Sequence, residues 1–444
     1  MTKDIDEPES NSSTLRRGGM ATFAIKVVAV GLGFLAQFLI ARYLGTAGYG
    51  EFAFALVTLN FLVIAAVAGS DSVATRFVSQ FRESPGLLVS CLRWLNRRAL
   101  WFSVCFLIAS LVVVQVIRQF DSRTIWVVTQ VLCIAIPLQV FSSLRAGILK
   151  GRQQPALSQI PEELIRPLTT ILLVVGAASF WPESWNSFSA IHVAVLLLFV
   201  SLLVFASGQW ILNRVFPKPS LDPSVEVDSE SIDTHYRQWS SMAWASTLAA
   251  IAMTIHSQCD VWMLGLMVES EMVGPYAAAA RYAAFVVFGI NAINTALGPM
   301  IANSVGQNEK LQRLASQAAL LSAALSAGVV AVLLLLPQTL LGLFGPGFDQ
   351  ADLPLKILVV ANAVNVLCGS VGMLLNMSGH HNEFMRILVL SLILNLILNG
   401  ILIPIYQTTG AAIATGVSII SWNVLGVILV KKKLGIRPTL GGWI

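Results

Sequence analysis

The chain has 444 residues, 56% hydrophobic and 11% charged, with 28 Lys and Arg against 23 Asp and Glu for a net charge of +5. A soluble domain carries roughly 25% charged residues, so these figures, with a mean hydropathy of +0.75, exclude a soluble enzyme and leave an all-α polytopic membrane protein. The basic residues are not interleaved with aromatics in runs, which excludes a nucleic-acid partner and makes the positive excess an orientation signal.

The opening 19 residues, "MTKDIDEPESNSSTLRRGG", are polar and acidic and read as a tail, with no cleavable signal pattern. A helix rises about 1.5 Å per residue, so crossing about 30 Å of hydrocarbon takes roughly 20 apolar residues. About twelve segments qualify, at 20–43, 51–75, 99–117, 124–148, 159–181, 188–212, 239–267, 273–301, 316–342, 353–377, 385–405 and 409–430. Segments two and eight exceed the hydrocarbon thickness and are expected to project beyond it. On this topology 23 of the 28 basic residues fall at the termini or the even-numbered loops and their flanks. Lys and Arg collect on the cytoplasmic side, so both termini are expected there.

The spans divide into a tail (1–19), a first lobe (20–212), an acidic, Pro-containing cytoplasmic linker (213–238), a second lobe (239–430) and a basic tail (431–444). The lobes look like a repeat. "LGTAGYGEFAFALV" between spans one and two is echoed by "VESEMVGPYAAAAR" between spans seven and eight, aligning Gly50 with Gly274 and Phe52 with Tyr276 at an offset of 224. "LKGRQQP" with Gly151 is echoed by "MSGHHNE" with Gly379 at an offset of 228. An even number of spans per half makes the repeat parallel, with its pseudo-twofold along the membrane normal. The three glycines of residues 45–50 are read as a tight hairpin, because glycine accepts the positive φ that helix C-caps require.

Five cysteines, without a C-x-x-C pair, read as packing residues. His380-His381 has no third ligand spaced for zinc, so no metal is expected, and no glycine loop suited to ATP is found. The odd-numbered loops are short and hold no His, which argues against an enzyme.

The stretches "LGTAGYGEFAFALVTLNFLVIAAVAGSDSVATRFVSQ", "QCDVWMLGLMVESEMVGPYAAAARY" and "LILNLILNGILIPIYQTTGAAIATGVSI" resemble the polysaccharide (lipid-linked oligosaccharide) flippases of the multidrug/oligosaccharidyl-lipid/polysaccharide exporter superfamily. The resemblance covers essentially the whole chain. It implies twelve helices in two six-helix lobes that alternate between inward- and outward-facing states. It further implies movement of a polyprenyl-pyrophosphate-linked glycan repeat unit from the cytoplasmic to the periplasmic leaflet of a bacterial inner membrane, for cell-surface polysaccharide. Polymerase and chain-length assembly proteins are the expected partners, beside membrane lipid. No cofactor is expected, with proton or sodium coupling left open. The runner-up reading is a cation-coupled multidrug exporter of the same superfamily; a membrane enzyme or scaffold of glycan assembly is the alternative from another class.

A charge at the bilayer centre costs roughly 2.5–3.5 kcal/mol on insertion scales, so such residues face a cavity or a partner. Asp260 in span seven and Arg281 in span eight fall at similar depth. Two readings stay open: an ion pair that locks the helices, or an Arg281 that lines a cationic cavity and grips pyrophosphate through its planar fork. Asn291 lies near the Arg281 face together with Phe285, Phe288 and Thr295. Span ten sets Asn362, Asn365, Gly369 and Asn376 on one face, and span eleven sets Ser391, Asn395 and Asn399 at i, i+4 and i+8. Such amides either join helices or bind substrate. In the first half, Lys26 and Gln37 share a face of span one, Arg42 sits near its far end, and Arg76 lies in "GSDSVATRF" at the end of span two. Lys26 and Arg42 can also snorkel.

Overall fold

A computed structural model describes residues 9–180, 189–216, 229–304 and 306–439, and every regular element among them is helical. In chain order these are α1 (Glu9–Val67), α2 (Ser70–Gln80), α3 (Pro85–Phe120), α4 (Thr124–Cys133), α5 (Ile136–Gly151), α6 (Pro155–Gln159), a π-helical turn (Ile160–Ile165), α7 (Arg166–Phe180), α8 (Ala190–Val215) and α9 (Ser229–Met267). They continue with α10 (Ser270–Ala284), a 3-10 turn (Phe285–Val287), α11 (Phe288–Ala302), α12 (Asn308–Leu335), α13 (Pro337–Gly342), a 3-10 turn (Phe348–Ala351), α14 (Asp352–Cys368), α15 (Val371–Met377) and α16 (His381–Leu434). Prolines open α3 and α13, where a missing N–H costs nothing. A reciprocal Ser189–His192 box caps α8.

Among the described residues seven helices are long and apolar enough to cross a membrane, or eight if the pair Thr124–Cys133 and Ile136–Gly151, bent by 46°, forms one span. Two of the seven are not straight rods. α16 contains a non-helical residue at Gln407 (φ 50°, ψ −126°), and α1 contains one at Gly45 (φ 67°, ψ −173°). In α16 the chain doubles back there. Ser391 and Ser418 hydrogen-bond each other through hydroxyls 2.8 Å apart, whereas 27 residues of continuous helix would hold them about 40 Å apart. A Cβ on Gly410 would overlap the carbonyl of Leu402. α16 is thus an antiparallel hairpin whose turn has no room for a side chain at 410.

The described residues form two compact units, one running up to Ile40 and including Thr58–Met253, the other made of Ala41–Val57 with the chain from Thr254 onward. In the first unit α2 crosses α5 on glycine. A Cβ at Gly147 would strike the backbone of Asp71, and one at Gly151 would meet Ala74 and Val78. This four-residue glycine spacing lets the two helix backbones approach closely. Thr75 ties the crossing with a 3.3 Å hydrogen bond to the Gly147 carbonyl. α1 ends at Ala68 and Gly69, both left-handed (φ 49° and 68°). The Ala68 carbonyl this exposes is taken by Arg98, whose Nε and Nη2 donate to it at 3.3 and 3.2 Å. The same guanidinium lies 4.8–5.3 Å from the ring centres of Phe102, Trp244 and Trp94.

In the second unit Ala41–Val57 crosses α10, again on glycine. A Cβ on Gly50 would overlap the carbonyl of Ser270 and come within 3.0 Å of the Gly274 nitrogen. Reciprocally, a Cβ on Gly274 would overlap the carbonyl of Thr46 and come within 3.1 Å of the Gly50 nitrogen. Thr46 and Ser270, like Gly50 and Gly274, are 224 residues apart in sequence. A contact in which i meets j′ and i′ meets j is what a local twofold produces.

Several expected details change. Of the three glycines in the first hairpin only Gly45 supplies the turn; Gly48 and Gly50 are already helical, and Gly50 is there for close approach. Span two does not run on as one rod but breaks at Ala68 and Gly69, and span eight only tightens into a 3-10 turn at residues 285–287. Span ten breaks at Gly369 (φ 76°), where a Cβ would meet the Pro438 carbonyl, so Asn376 does not continue the face of Asn362 and Asn365. Residues 217–228 of the expected linker lie outside the described residues.

Candidate functional site

The second unit contains a buried polar chain at the centre of its helices. Asp260 sits in α9 at 7% exposure. Its Oδ1 accepts the backbone N–H of Val261 at 2.8 Å. Its Oδ2 accepts the Tyr276 hydroxyl from α10 at 2.6 Å and the Thr415 hydroxyl from the second arm of α16 at 3.3 Å. Thr415 in turn accepts Nδ2 of Asn395, in the first arm of α16, at 3.5 Å. Asn395 Oδ1 accepts Nδ2 of Asn399 at 3.0 Å and the thiol of Cys259 at 2.7 Å. Tyr276, Asn395 and Asn399 are all essentially inaccessible. The helices place these groups together because Asn395 and Asn399 are one turn apart on one face, and the hairpin brings Thr415 opposite them.

Three features give this cluster chemical meaning. It holds a carboxyl group with no cationic side chain among its hydrogen-bond partners. Two of its neighbours keep unused buried atoms: Asn399 Oδ1, and Nδ1 of His256, which lies one turn before Asp260 on α9, have no hydrogen-bond partner. A carboxylate without a counter-charge is costly at such a place, so the group is stable either protonated or beside a cation. The surrounding oxygens, from carboxyl, phenol, hydroxyl and amide groups, suit a proton or a small hard cation.

Arg281 belongs to a different set. Its Nε donates to the Tyr49 hydroxyl at 2.8 Å, and Tyr49 packs its ring against Phe52 and Phe348, with centroids 6.3 and 6.0 Å away. An ion pair between Asp260 and Arg281, one of the two readings left open, is not among the four formed by the described residues. Tyr276 takes the carboxyl and Tyr49 takes the guanidinium, so each charge finds a phenol instead of the other charge. Among the described residues the two terminal nitrogens of Arg281 have no hydrogen-bond partner, and the residue is only partly buried. A half-buried fork with its terminal nitrogens unengaged is suited to phosphate oxygens.

The other expected residues scatter. Arg42 is exposed and donates to the Leu343 carbonyl at 3.1 Å beside a cavity it lines with Gln338 and Asp349. Arg76 is exposed, 5.4 Å from the Phe77 ring. Lys26 and Asn291 are exposed and Gln37 is half-buried. Asn362 bonds back to the Leu358 carbonyl of its own helix at 3.0 Å, and Asn365 is half-buried. Of the expected residues, Asp260, Asn395 and Asn399 come together in one cluster, whereas Tyr276, Thr415, Cys259 and Tyr49 were not among those expected. One signal was available: Tyr276 adds a hydroxyl where the repeat has Phe52.

Comparison with known proteins closes the description. The family model described as "Polysaccharide biosynthesis protein" matches residues 15–305, about two thirds of the chain. The chain belongs to the polysaccharide biosynthesis protein family. A second model, MatE, matches residues 245–401, the part that contributes Asp260, Tyr276 and the Asn395 arm. Two relatives from Haloferax volcanii support this membership over nearly the full length. The chain is 25% identical to the "Probable flippase AglR" over 96% of its own residues and 85% of that protein's. It is likewise 25% identical to the "Probable low-salt glycan biosynthesis flippase Agl15", over 91% and 81%. Among solved structures, the fold of this family member is similar to that of the lipid II flippase MurJ in an inward closed conformation, with a TM-score of 0.72, 13% identity and coverage of 93% and 87%. It is equally similar to an inward-facing multidrug resistance MATE family transporter of the MOP superfamily, with a TM-score of 0.71, 12% identity and coverage of 94% and 98%.

Proposed function

We propose that this protein is a flippase that carries a polyprenyl-pyrophosphate-linked oligosaccharide from the cytoplasmic to the outer leaflet of the membrane, serving surface polysaccharide biosynthesis. The observation that carries this reading is the near-full-length match to two relatives named as flippases, one of them for glycan biosynthesis, within a family described by polysaccharide biosynthesis. The protein acts as a transporter and not as an enzyme, by rocking of two six-helix lobes. Splitting α1 and α16 at their breaks at Gly45 and Gln407 raises the eight apolar spans to ten, and counting α7 and α9 as spans as well gives the proposed twelve. Both termini then face the cytoplasm, and a bacterial inner membrane is the proposed location. Polymerase and chain-length proteins would receive the product.

Arg281 is assigned to the pyrophosphate, held in orientation by Tyr49. The Asp260 cluster is assigned to the driving ion, a proton or sodium, exchanged as the lobes alternate. The same cluster gives the cation-coupled drug exporter its best support, since a buried acid is what such an exporter requires.

The test uses proteoliposomes loaded with a polyprenyl-pyrophosphate oligosaccharide, scored by cleavage with an added glycosidase that cannot cross the membrane. Protein-dependent cleavage that falls at least about tenfold in Arg281→Ala, the loss expected for a charge-assisted contact, supports the flippase. Unchanged cleavage removes Arg281 from the mechanism. No cleavage, together with gradient-driven uptake of a cationic dye that Asp260→Asn abolishes, assigns the protein to drug export.

A further inference from the structure

The first unit holds a second concentration of unpaired positive charge, away from the groups discussed so far. A cavity of about 240 Å³ opens between α3, α5 and α8. Its polar lining is Asn96, Arg145 and Gln209, and the rest is apolar, including Leu212 and Phe216. All three helices contribute from their Arg-rich ends, which on the positive-inside reading is the cytoplasmic leaflet.

Arg145 is half-buried in this wall. Nη1 donates to the Phe205 carbonyl at 3.1 Å, and the guanidinium lies 3.7 Å from the centre of the Phe205 ring. Those two contacts hold the side chain in place but neutralise nothing. Arg152 stacks on Phe216, one of the cavity's lining residues, at 4.1 Å, and its buried Nε has no hydrogen-bond partner. Arg82, 3.4 Å from the Gln153 side chain, adds a third charge close enough that it and burial together lower Arg152 from the ordinary arginine value. None of the three arginines takes part in an ion pair among the described residues. Arg82 and Arg152 repel each other, Arg145 is charged in a partly apolar wall, and with no ion pair to any of the three among the described residues the arrangement favours an anion.

We propose that this cavity is a binding site for the phosphodiester headgroup of an anionic phospholipid, gripped by Arg145 with Gln209 and Asn96, its acyl chains lying along the apolar wall. The chemistry selects this ligand. A guanidinium binds phosphate oxygens in pairs, the two amides add donors for the remaining oxygens or a glycerol hydroxyl, and the apolar lining has no use for a fully hydrated anion. Basic pockets between membrane helices on the cytoplasmic side are suited to anionic headgroups. The site is separate from Arg281 and does not depend on what the protein transports.

The experiment is native mass spectrometry of the full-length protein in detergent, titrated separately with dioleoyl phosphatidylglycerol, dioleoyl phosphatidylcholine and sn-glycerol 3-phosphate. Phosphatidylglycerol should be retained in preference to phosphatidylcholine by about tenfold. Arg145→Gln should erase that preference, Arg145→Lys should keep part of it, and Arg281→Ala should leave it intact, so failure here is distinguishable from failure of the flippase reading. If Arg145→Gln does not fold, Leu212→Trp, which fills the cavity while keeping every charge, should lose the same preference. Equal binding of the two lipids, or a preference that survives both Arg145→Gln and Leu212→Trp, overturns the site. Glycerol phosphate that displaces the lipid at equal concentration overturns the lipid as the ligand.

Discussion

The two stretches of sequence related by the offset of 224 share a glycine crossing and differ in the chemistry beside it. At the crossing between residues 41–57 and α10, Gly50 and Gly274 occupy equivalent places and interlock reciprocally. Moving the same 224 residues along the chain, the second half has Asp260 and Tyr276 where the first has Ala36 and Phe52. All four are buried. Positions that set backbone distance are thus held alike, because a glycine there is demanded by geometry on both sides of the local twofold. Positions that do not set that distance carry apolar side chains in one half and an acid with its phenol donor in the other. The lesson is that a symmetric frame leaves side chains able to specialise wherever they do not set the packing distance.

The comparison can be broken first at the frame. Gly50→Val or Gly274→Val forces a branched side chain into backbone that cannot yield, and each should cost at least about 3 kcal/mol, the upper part of the overpacking range. Thermal unfolding in detergent reads this. Gly31→Ala is the control, because a Cβ there meets nothing, and it should be neutral or gain up to about 1 kcal/mol from helix propensity.

Next, the second half can be made to resemble the first. Tyr276→Phe leaves Asp260 without its 2.6 Å donor and should destabilise by about 1–3 kcal/mol. Adding Asp260→Asn should recover much of that stability while removing any dependence of transport on a proton or sodium gradient. Double-variant stability no better than that of Tyr276→Phe alone would show that the hydroxyl supports something other than the acid. A smaller effect is expected in the α16 hairpin. Asn395→Leu removes the residue that joins Cys259, Asn399 and Thr415 and should cost about 1–2 kcal/mol, within the range of interhelical amide bonds in membranes. Asn399→Leu, which removes an already unpartnered Oδ1, should cost less.

The smallest effect lies outside the membrane spans, in the loop between α3 and α4. Asp121 accepts the Trp126 indole N–H at 2.8 Å and both the backbone N–H and Nε of Arg123. The indole bond first, with the Arg123 contacts, holds its carboxyl below the usual carboxylate value. A depressed folded value means stabilisation that is present above the ordinary carboxylate pKa of about 3.9 and is lost as the pH falls below it. Amide protection factors at residues 121–126, taken against the intrinsic exchange rate at each pH, should therefore fall in acid in the wild type, and Asp121→Asn should show low protection at every pH. Its counterpart by the offset of 228, Asp349, lines the cavity with Arg42, and Asp349→Asn should leave the 121–126 loop unaffected.

Much of the architecture was legible in sequence. Hydropathy period and length gave the all-helical membrane class, and the glycine echo singled out Gly50 and Gly274, which the structure brings into one crossing. The Asn395 and Asn399 spacing gave one wall of the polar cluster. What sequence could not supply is which side chain intervenes between two others. Asp260 and Arg281 have matching depth and opposite charge, which left a pair and a cavity-lining arginine equally open. Two phenols from positions 49 and 276 separate them, and a tyrosine beside glycines in an apolar hairpin does not announce that use. Helix breaks were equally silent. Ala68 and Gly69 interrupt a continuous apolar run, and the left-handed pair is stabilised by Arg98, 30 residues on.

The α16 hairpin bears on how the protein is made. Its first arm carries Ser391, Asn395 and Asn399, all buried, and entering lipid alone that arm would expose three polar side chains to hydrocarbon. Ser418 and Thr415 meet Ser391 and Asn395 rung by rung, and the turn at Gln407 is short enough for the arms to close on each other as soon as the second has left the ribosome. The last two spans are therefore expected to be released into the bilayer together, as one zipped pair, with the polar groups already satisfied. A chain truncated at 408 should stall at the insertion machinery, and one ending at 434 should not.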